Sequence, residues 1–393
     1  MRVWIENPFD TLPVEGFRPQ RYWLMAEAFV RAGHDVTLWT SDFSHATKSR
    51  RTVRGGDAPF ALRFVPTPPY TSNVSFARIR SHRAYAAEWL AEARDEARKG
   101  GAPDIVIVSL PPLKTADSAI ALKREFGARL VVDVMDAWPE TFYRLFPSAL
   151  RPFASLALLP LRRAAVRAYR DADLVTGVCD AYGKIALAAG AREYARFYHG
   201  VRVAKTPAIA ARKPADPSSI RLAYVGNFGR GYDLTTAIMA VCDTPGMSLD
   251  VAGAGERERE WRKCANGSSR IRFHGFLGEE ELSSLLDSCD VGIIPLADDT
   301  FVGLPYKLGD YAIHGLRVVT SLRGECAAIL ERHRAGRTYT AGDVGSFKAA
   351  VADALADDPG FSSLLSELDA NSIYDEYVKR VTIHNSQSTK VPQ

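Results

Sequence analysis

The sequence predicts an α/β protein built of two doubly wound, parallel-sheet domains in tandem, and three observations carry that prediction. Uninterrupted apolar runs such as Ile105 to Val108 fit strands buried on both faces, as parallel sheets require. Segments of helical periodicity separate such runs, which is the alternation of a βαβ chain. The alternation occurs twice, on either side of Lys205 to Ser219, a Pro-, Ala- and Lys-rich stretch without periodicity that reads as a linker.

The first domain, residues 1–204, opens on the strand pattern Val3-Trp4-Ile5. Met25, Ala28, Phe29 and Ala32 then follow helical spacing, Gly33 stops the helix, and Val36 to Trp39 reads as the next strand. Ile105 to Val108, a helix through Ala116 to Phe126, and Leu130 to Val132 continue the series. In the second domain, residues 205–370, strands are expected at Leu222 to Val225, Leu249 to Ala252, Ile271 to Phe273, Val291 to Ile294 and Val318 to Thr320. An amphipathic segment, Asn371 to Ile383, follows, and Ser386 to Gln393 reads as a frayed tail. Doubly wound sheets bind ligands beyond the C-terminal ends of their strands, so a central cleft between two such domains is the expected site.

Composition narrows the function. The 393 residues are 47% hydrophobic and 24% charged, an ordinary globular balance. A net charge of +4 is too mild to call for nucleic acid. Five widely spaced cysteines with no Cys-x-x-Cys pair argue against a disulfide framework or structural zinc, and fit a cytoplasmic protein. The N-terminus has no signal-peptide core, and the longest apolar run, Phe153 to Leu161, falls far short of the roughly 20 residues that span a bilayer. The expected protein is neither secreted nor transmembrane.

Two segments of the second domain carry the chemistry. In Leu304 to Thr320, Lys307 presents an ammonium to phosphate oxygens near a helix start, and Asp310, one turn on, can accept hydrogen bonds from ribose hydroxyls. In Tyr224 to Leu234, a strand runs into a glycine-rich turn. Glycines such as Gly229 let backbone approach phosphate there, and Arg230 can hold it bidentately. Two such cations would stabilise a departing nucleoside diphosphate without a metal. The Asp-x-Asp pair Asp171 and Asp173 fits a helix-to-strand turn, and Gly253-Ala254-Gly255 lacks the third glycine of a dinucleotide fingerprint. In the first domain, a glycine turn at Gly16 beside Arg18 can approach phosphate or acceptor, and Asp136 follows a buried strand beside Trp138. From Arg144 to Arg170, arginines that include Arg162, Arg163 and Arg167 interleave with leucines and no acid until Asp171. That pattern suits an anionic lipid interface, to which the basic loop Lys48 to Arg54 would add.

These motifs resemble those of the GT-B-fold retaining glycosyltransferases of the large family that builds bacterial surface polysaccharides. Pro305 to Tyr311 resembles the family's Pro-x-Lys-x-x-Glu-Tyr donor motif, and Gly226-Asn227-Phe228-Gly229-Arg230 its Gly-Asn-x-Gly-Arg turn. Phe273-His274-Gly275-Phe276-Leu277 is similar to the loop that cradles the nucleotide base, and Gly16 lies where the family has its first-domain glycine loop. Asp136-Ala137-Trp138-Pro139-Glu140 resembles a signature of N-acetylfucosamine-transferase-like, lipid-linked sugar transferases. The likeness extends to Ser41 to His45, Lys48, and Ser109 to Pro112.

The resemblance implies a GT-B enzyme of two Rossmann-like domains, with residues 371–385 crossing back as a helix onto the first. It implies hexosyl or N-acetylhexosaminyl transfer from a UDP- or GDP-linked sugar to a lipid-linked or oligosaccharide acceptor, with retention and no metal or cofactor. Arg230 and Lys307 become the pyrophosphate pair, and Asp136 orients the acceptor or manages a proton. Gly16, Asn227, Gly229, His274, Gly275, Phe276, Gly303, Leu304 and Asp310 line the donor, with His274 itself structural. Related enzymes use polyprenyl-pyrophosphate acceptors at the inner leaflet, which implies a peripheral place on the inner membrane. One departure stands out: where the family often has a glutamate contacting the donor sugar, this chain has Val302, and Asp310 replaces the second carboxylate. Backbone around Gly303 and Leu304, or Asp298 and Asp299, would then take over that contact. Two alternatives share the architecture, a sugar-nucleotide 2-epimerase and a non-catalytic GT-B scaffold subunit.

Overall fold

The computed structural model describes residues 1–53, 56, 58–72, 75–146, 150–203, 216, 218–297 and 302–383, without the side chains of residues 144 and 145. Arg54, Asp298, Asp299, most of the expected linker and the tail lie outside the described residues. The chain divides into two compact units, Met1–Gly200 with Asn371–Gln393, and Val201–Ala370.

In the first unit the strands are β1 (Arg2–Glu6), β2 (Asp35–Ser41), β3 (Phe43–Ser44), β4 (Ser49–Arg50), β5 (Ala61–Val65), β6 (Ile105–Leu110), β7 (Arg129–Val134), β8 (Leu174–Gly177) and β9 (Tyr194–Arg196). Seven of them form one parallel sheet in the order β5-β2-β1-β6-β7-β8-β9, while β3 and β4 pair as a small antiparallel ribbon. The helices are α1 (Arg21–Arg31), α2 (Phe76–Gly100), α3 (Leu113–Phe126), α4 (Arg151–Ala157), α5 (Leu159–Asp171) and α6 (Asp180–Ala188). Ile105 to Val108 and Leu130 to Val132 are fully buried, because sheet neighbours flank these strands and helices cover both faces. Strand order reverses between β1 and β6, which sets the switch point where ligands of such sheets bind.

A buried ion pair ties this unit together. Arg21 of α1 grips Asp133 of β7 through both carboxylate oxygens at 2.8 Å, and the hydroxyls of Tyr22 and Thr176 donate to the same carboxylate. Burial opposes the charge on Asp133, but Arg21 and these donors hold its carboxyl below the usual range. Arg21 also donates to the carbonyls of Phe197 and Tyr198. The terminal helix of the chain, Ala370–Thr382, lays Tyr374 and Tyr377 over this pair. The Arg21 guanidinium sits 5.9 Å from the Tyr374 ring centre, and Tyr377 packs on Phe29 and Phe197.

In the second unit the strands are β10 (Ile220–Val225), β11 (Met247–Ala252), β12 (Ile271–Gly275), β13 (Val291–Ile294), β14 (Arg317–Thr320) and β15 (Gly336–Thr338), all parallel, in the order β12-β11-β10-β13-β14-β15. The helices are α7 (Thr235–Asp243), α8 (Glu258–Ala265), α9 (Glu279–Asp287), α10 (Lys307–Ile313), α11 (Glu325–Arg332), α12 (Val344–Ala356) and α13 (Phe361–Leu368), with α14 (Ala370–Thr382) leading back to the first unit. Leu222, Tyr224, Leu249, Val251, Val291 and Ile293 form its core with Phe228 and Trp261. Here the order reverses between β10 and β13.

Candidate functional site

At the switch point of the second unit, backbone meets backbone. Gly226, just after β10, has φ of 134°, and Gly253, just after β11, has φ of 128°. A Cβ on Gly253 would lie 1.9 Å from the Gly226 carbonyl oxygen, so the two loops pack with no room for side chains. Gly255 is equally constrained by the Phe228 backbone, which gives the Gly253-Ala254-Gly255 turn a structural job. Hydrogen bonds from Asp233 N to Pro295 O (2.8 Å) and Ala297 N to Gly231 O (3.0 Å) then stitch the glycine loop to the segment after β13.

Lys307 is the first residue of α10. Its ammonium lies 4.2 Å from the Tyr232 ring centre and 5.4 Å from that of Tyr224, and a Cβ on Gly226 would come within 2.7 Å of Nζ. The glycine thus makes space for the lysine, and two tyrosine faces hold the cation. Tyr311, on the same helix, receives a hydrogen bond from Val225 N (3.2 Å) and reaches Ile293 O (3.2 Å), pinning α10 to the sheet. Its ring occupies the space a Cβ on Gly292 would need. Asp310 is half-buried one turn beyond Lys307, Gly303 and Leu304 are buried just before it, and Val302 is half-buried.

Arg230 lies in the glycine loop with its side chain 80% exposed, paired to Glu256 at 3.2 Å. Asn227 is exposed beside it and Gly229 is half-buried. His274 is exposed on one side and engaged on the other: its Nε2 bonds at 2.7 Å to the fully buried Asp250 carboxylate, which also receives Arg272 and Arg221. Burial opposes that charge, but these donors bring the Asp250 pKa down to about 2. Beyond His274, Gly275 has φ of 69° and Phe276 is 79% exposed.

At the edge of the first unit, Gly16 is exposed at φ 82° and Arg18 is half-buried. Arg51 shapes this loop through an ion pair with Glu15 and a bond to the Asp10 carbonyl (2.7 Å). Asp136 follows β7. Burial pushes its carboxyl up to about 6, against the Trp138 indole that donates to it at 3.1 Å and the attraction of Arg78. Beside it lies a bowl that the sequence did not reveal, walled by Phe9, Phe43, His45, Tyr70 and His82. Its recruits come from the loops after β1 and β5, from the β3–β4 ribbon and from α2. The signal available was Arg78, His82 and Tyr85 at helical spacing after the cap residue Ser75, whose side chain accepts from Arg78 N.

The structure corrects the basic loop in part. Lys48 turns over the Tyr70 ring and Arg51 is buried against Glu15, so these two charges face into the unit, while Arg50 stays exposed beside Asp42. The arginine-rich stretch does face outward. Helix α5 buries Ala164, Ala165, Ala168 and Tyr169 and exposes Arg162, Arg163 and Arg167, the last paired with Asp117 at 3.0 Å. Helix α4 leaves Phe153 69% and Leu156 74% exposed. No helix among the described residues is long and apolar enough to cross a membrane. Asp173 takes Lys123 at 2.6 Å and Leu130 N at 2.8 Å at the turn between α5 and β8, and no group of three or more His, Cys, Asp or Glu among the described residues could hold a metal.

Two parallel doubly wound halves, each gathering polar groups at its switch point, define the GT-B architecture. Residues 20–199 match the glycosyltransferase 4-like domain and residues 219–357 the glycosyl transferases group 1 family. No curated protein matches the chain by sequence. Among solved structures, sucrose-phosphate synthase from Thermosynechococcus elongatus superposes with a TM-score of 0.75 at 13% identity, over 98% of this chain and 100% of that one. HepE of Anabaena, in complex with UDP and glucose, gives 0.65 at 13% over 98% and 100%. WaaG, a glycosyltransferase involved in lipopolysaccharide biosynthesis, gives 0.61 at 14% over 97% and 99%. These likenesses establish the fold, and the two matched domains establish the class: the chain is a glycosyltransferase of the GT-B fold.

Proposed function

We propose that the enzyme moves a sugar from a nucleoside-diphosphate donor, UDP- or GDP-linked, to a lipid-linked or oligosaccharide hydroxyl in surface-polysaccharide assembly, with retention and without a metal. The observation that carries this reading is Lys307, held against two tyrosine faces in the space Gly226 leaves open. A prepositioned ammonium suits charge that develops on a departing diphosphate. Arg230, exposed in the neighbouring loop, adds a second cation that can exchange Glu256 for phosphate. Gly303 and Leu304 contribute backbone to the sugar, and Gly275 and Phe276 border the base. HepE, bound to UDP and glucose, supports the donor class, and WaaG supports the pathway class.

In this reaction the acceptor hydroxyl attacks from the face the leaving group vacates, and a donor phosphate oxygen takes its proton. Asp136 orients that hydroxyl. The deciding experiment is turnover by Lys307→Ala and Arg230→Ala, each expected to fall roughly 10²-fold or more with the fold retained. Near-parental transfer by either folded variant sinks the assignment. Activity is expected to survive excess EDTA. Loss that Mg²⁺ or Mn²⁺ restores would show that two cations do not suffice.

The enzyme works as a peripheral protein on the cytoplasmic face of the inner membrane. Support comes from Phe153 and Leu156, exposed on α4 beside the outward arginines of α5.

A further inference from the structure

Both walls of the slot that holds Lys307 lead back to one arginine that the donor reading leaves unused. The loops after β10 and β11 run side by side, with Gly226 N bonding Ala252 O (2.9 Å), Phe228 N bonding Ala254 O (2.9 Å) and Arg257 N bonding Phe228 O (3.0 Å). Beyond Phe228 the second loop reaches the first through side chains, Glu256 on Arg230 and Arg257 on Tyr232. The Arg257 guanidinium donates from Nη1 to the Tyr232 carbonyl and from Nε to Glu260 at 2.9 Å, and its Nη2 lies 3.4 Å from the Asp233 carboxylate. It also sits 5.8 Å from the Trp261 ring centre.

These contacts set the seat of the lysine. Tyr232, whose ring is 4.2 Å from the Lys307 ammonium, is held at both ends of its backbone: its N donates to Gly229 O at 3.0 Å and its carbonyl accepts from Arg257. The ring direction follows from that grip. Tyr224, the other wall at 5.4 Å, packs at a right angle on Trp261 with ring centres 5.6 Å apart, and Trp261 is the ring that Arg257 covers. Asp233 extends the tie, since it accepts from Thr235 N (3.1 Å) at the start of α7 and its own N bonds Pro295 O (2.8 Å). The Arg257 side chain is largely buried, and Asp233 and Glu260 answer its charge, so its role toward a diphosphate runs through the residues it holds. A planar fork of donors can serve a carbonyl and two carboxylates at once, which a point charge cannot. The pair with Glu260 lies within α8, whereas the grips on Tyr232 and Asp233 join α8 to the glycine loop.

We propose that Arg257 is a positioning residue for the transfer reaction: by holding the Tyr232 carbonyl and the Asp233 carboxylate, it sets the ring faces against which Lys307 meets the departing diphosphate. This rests on the glycosyltransferase reading and adds a residue that acts only through Tyr232 and Lys307. Charge on the leaving group grows toward the transition state, so loosening the lysine lowers kcat and kcat/KM together and leaves KM little changed.

The test uses the full chain as parent, Arg257→Met, Arg257→Lys, Lys307→Ala, and Arg257→Met combined with Lys307→Ala. Methionine keeps an apolar stem on Trp261 and removes the fork. In protein labelled with ¹³C-lysine, the ε-CH₂ signal of Lys307, assigned by its loss in Lys307→Ala, is expected upfield of exposed lysines because two tyrosine faces shield it. Arg257→Met should move that signal at least halfway back to the exposed position. The kinetic arm follows hydrolysis of UDP- and GDP-linked hexoses, on the one the parent turns over fastest. There Arg257→Met should lose about tenfold in kcat, the scale of one charged hydrogen bond, with KM within about twofold. In the Lys307→Ala background the same change should cost less than about twofold, because residues acting as a unit are not additive. Arg257→Lys should fall between parent and Arg257→Met in both arms, which separates lost seating from lost folding. An unmoved Lys307 signal in folded Arg257→Met overturns the proposal, and so does a full tenfold loss repeated without Lys307. A loss confined to KM, or an Arg257→Lys enzyme equal to the parent, overturns it as well. Parental turnover by Lys307→Ala would fail the donor reading instead, and a displaced signal in Arg257→Met would then leave the brace standing without its catalytic use.

Discussion

The two switch points are built from different material. In the second unit, glycine loops press backbone on backbone and leave a slot for one lysine, while the charged groups of the same loops, Arg230 and Glu256, stay open to water. In the first unit, the edge is made of side chains: rings, neutral histidines and cations gathered from α2 and separate loops, in a unit tied elsewhere by the fully buried Arg21–Asp133 pair. A backbone-built site tolerates changes among its neighbours and depends on a few glycines. A side-chain-built site depends on every member and on the packing that holds its loops.

The largest effect should come from the buried pair of the first unit. Arg21→Met leaves the Asp133 carboxylate buried without its partner, a loss of about 3–5 kcal/mol. Five of the chain's six tryptophans lie in this unit, with only Trp261 in the other, so denaturation followed by tryptophan fluorescence reports mainly on it. An unchanged midpoint would mean the pair contributes nothing to the unit that carries the side-chain-built edge.

Next in size is the slot. Gly226→Ala should reproduce much of the roughly 10²-fold turnover loss of Lys307→Ala, because its Cβ would take the place of Nζ. Parental turnover in a folded Gly226→Ala enzyme would show that the lysine's seat is not fixed by backbone.

Asp136 sharpens the contrast through pH. Its folded pKa is about 6, above the usual carboxylate value, so the carboxylate is lost as pH falls through 6, and turnover should fall with it. Stability should move the other way. The folded state binds the extra proton between roughly pH 4 and 6, so the first unit gains stability as pH falls across that window. Asp136→Asn should remove the acid limb and lower the plateau, because the carboxylate that orients the acceptor hydroxyl is gone. A limb that persists in the variant assigns it to another residue.

Smaller effects belong to exposed charges. Vesicles rich in anionic lipid should bind the enzyme better than neutral ones, at roughly 1 kcal/mol per outward arginine, and added salt should weaken them. Replacing Phe153 and Leu156 by Ser and Arg162 and Arg163 by Glu should abolish that binding, and undiminished binding would remove the lipid-facing role. Smallest of all is the folding stability lost in Arg230→Ala, whose pair with Glu256 is exposed: no more than about 1 kcal/mol, against the several expected for Arg21.

This difference in material also explains what could be read in advance. Strands such as Ile105–Leu110 and Val291–Ile294 announced themselves because both faces are buried and nearly every position is apolar. The slot was legible because glycines and a lysine at fixed spacing are local facts, although its tyrosine walls, Tyr224 and Tyr232, were not singled out. The bowl was not legible. Trp138 and His45 stood in matched motifs, but Phe9 and Tyr70 are ordinary loop aromatics until the sheet sets them beside these, and α2, whose surface is largely polar, left no clear apolar stripe. Lys48 and Arg51 misled for a related reason: a charge run shows how many cations there are, while their partners Tyr70 and Glu15 lie elsewhere in the chain.

The chain leaves the first unit at Gly200 and returns to it at Asn371, so the second unit is inserted within the first. During synthesis the ribosome completes every strand of both sheets before the residues that cap Arg21 and Asp133 emerge. The second unit can finish folding on the nascent chain, while the first waits with Phe29 and Phe197 uncovered until Tyr374 and Tyr377 arrive. A chain cut short at residue 370 would therefore release one finished unit and one open one. In the cell it is the open one that chaperones would hold and proteases would find.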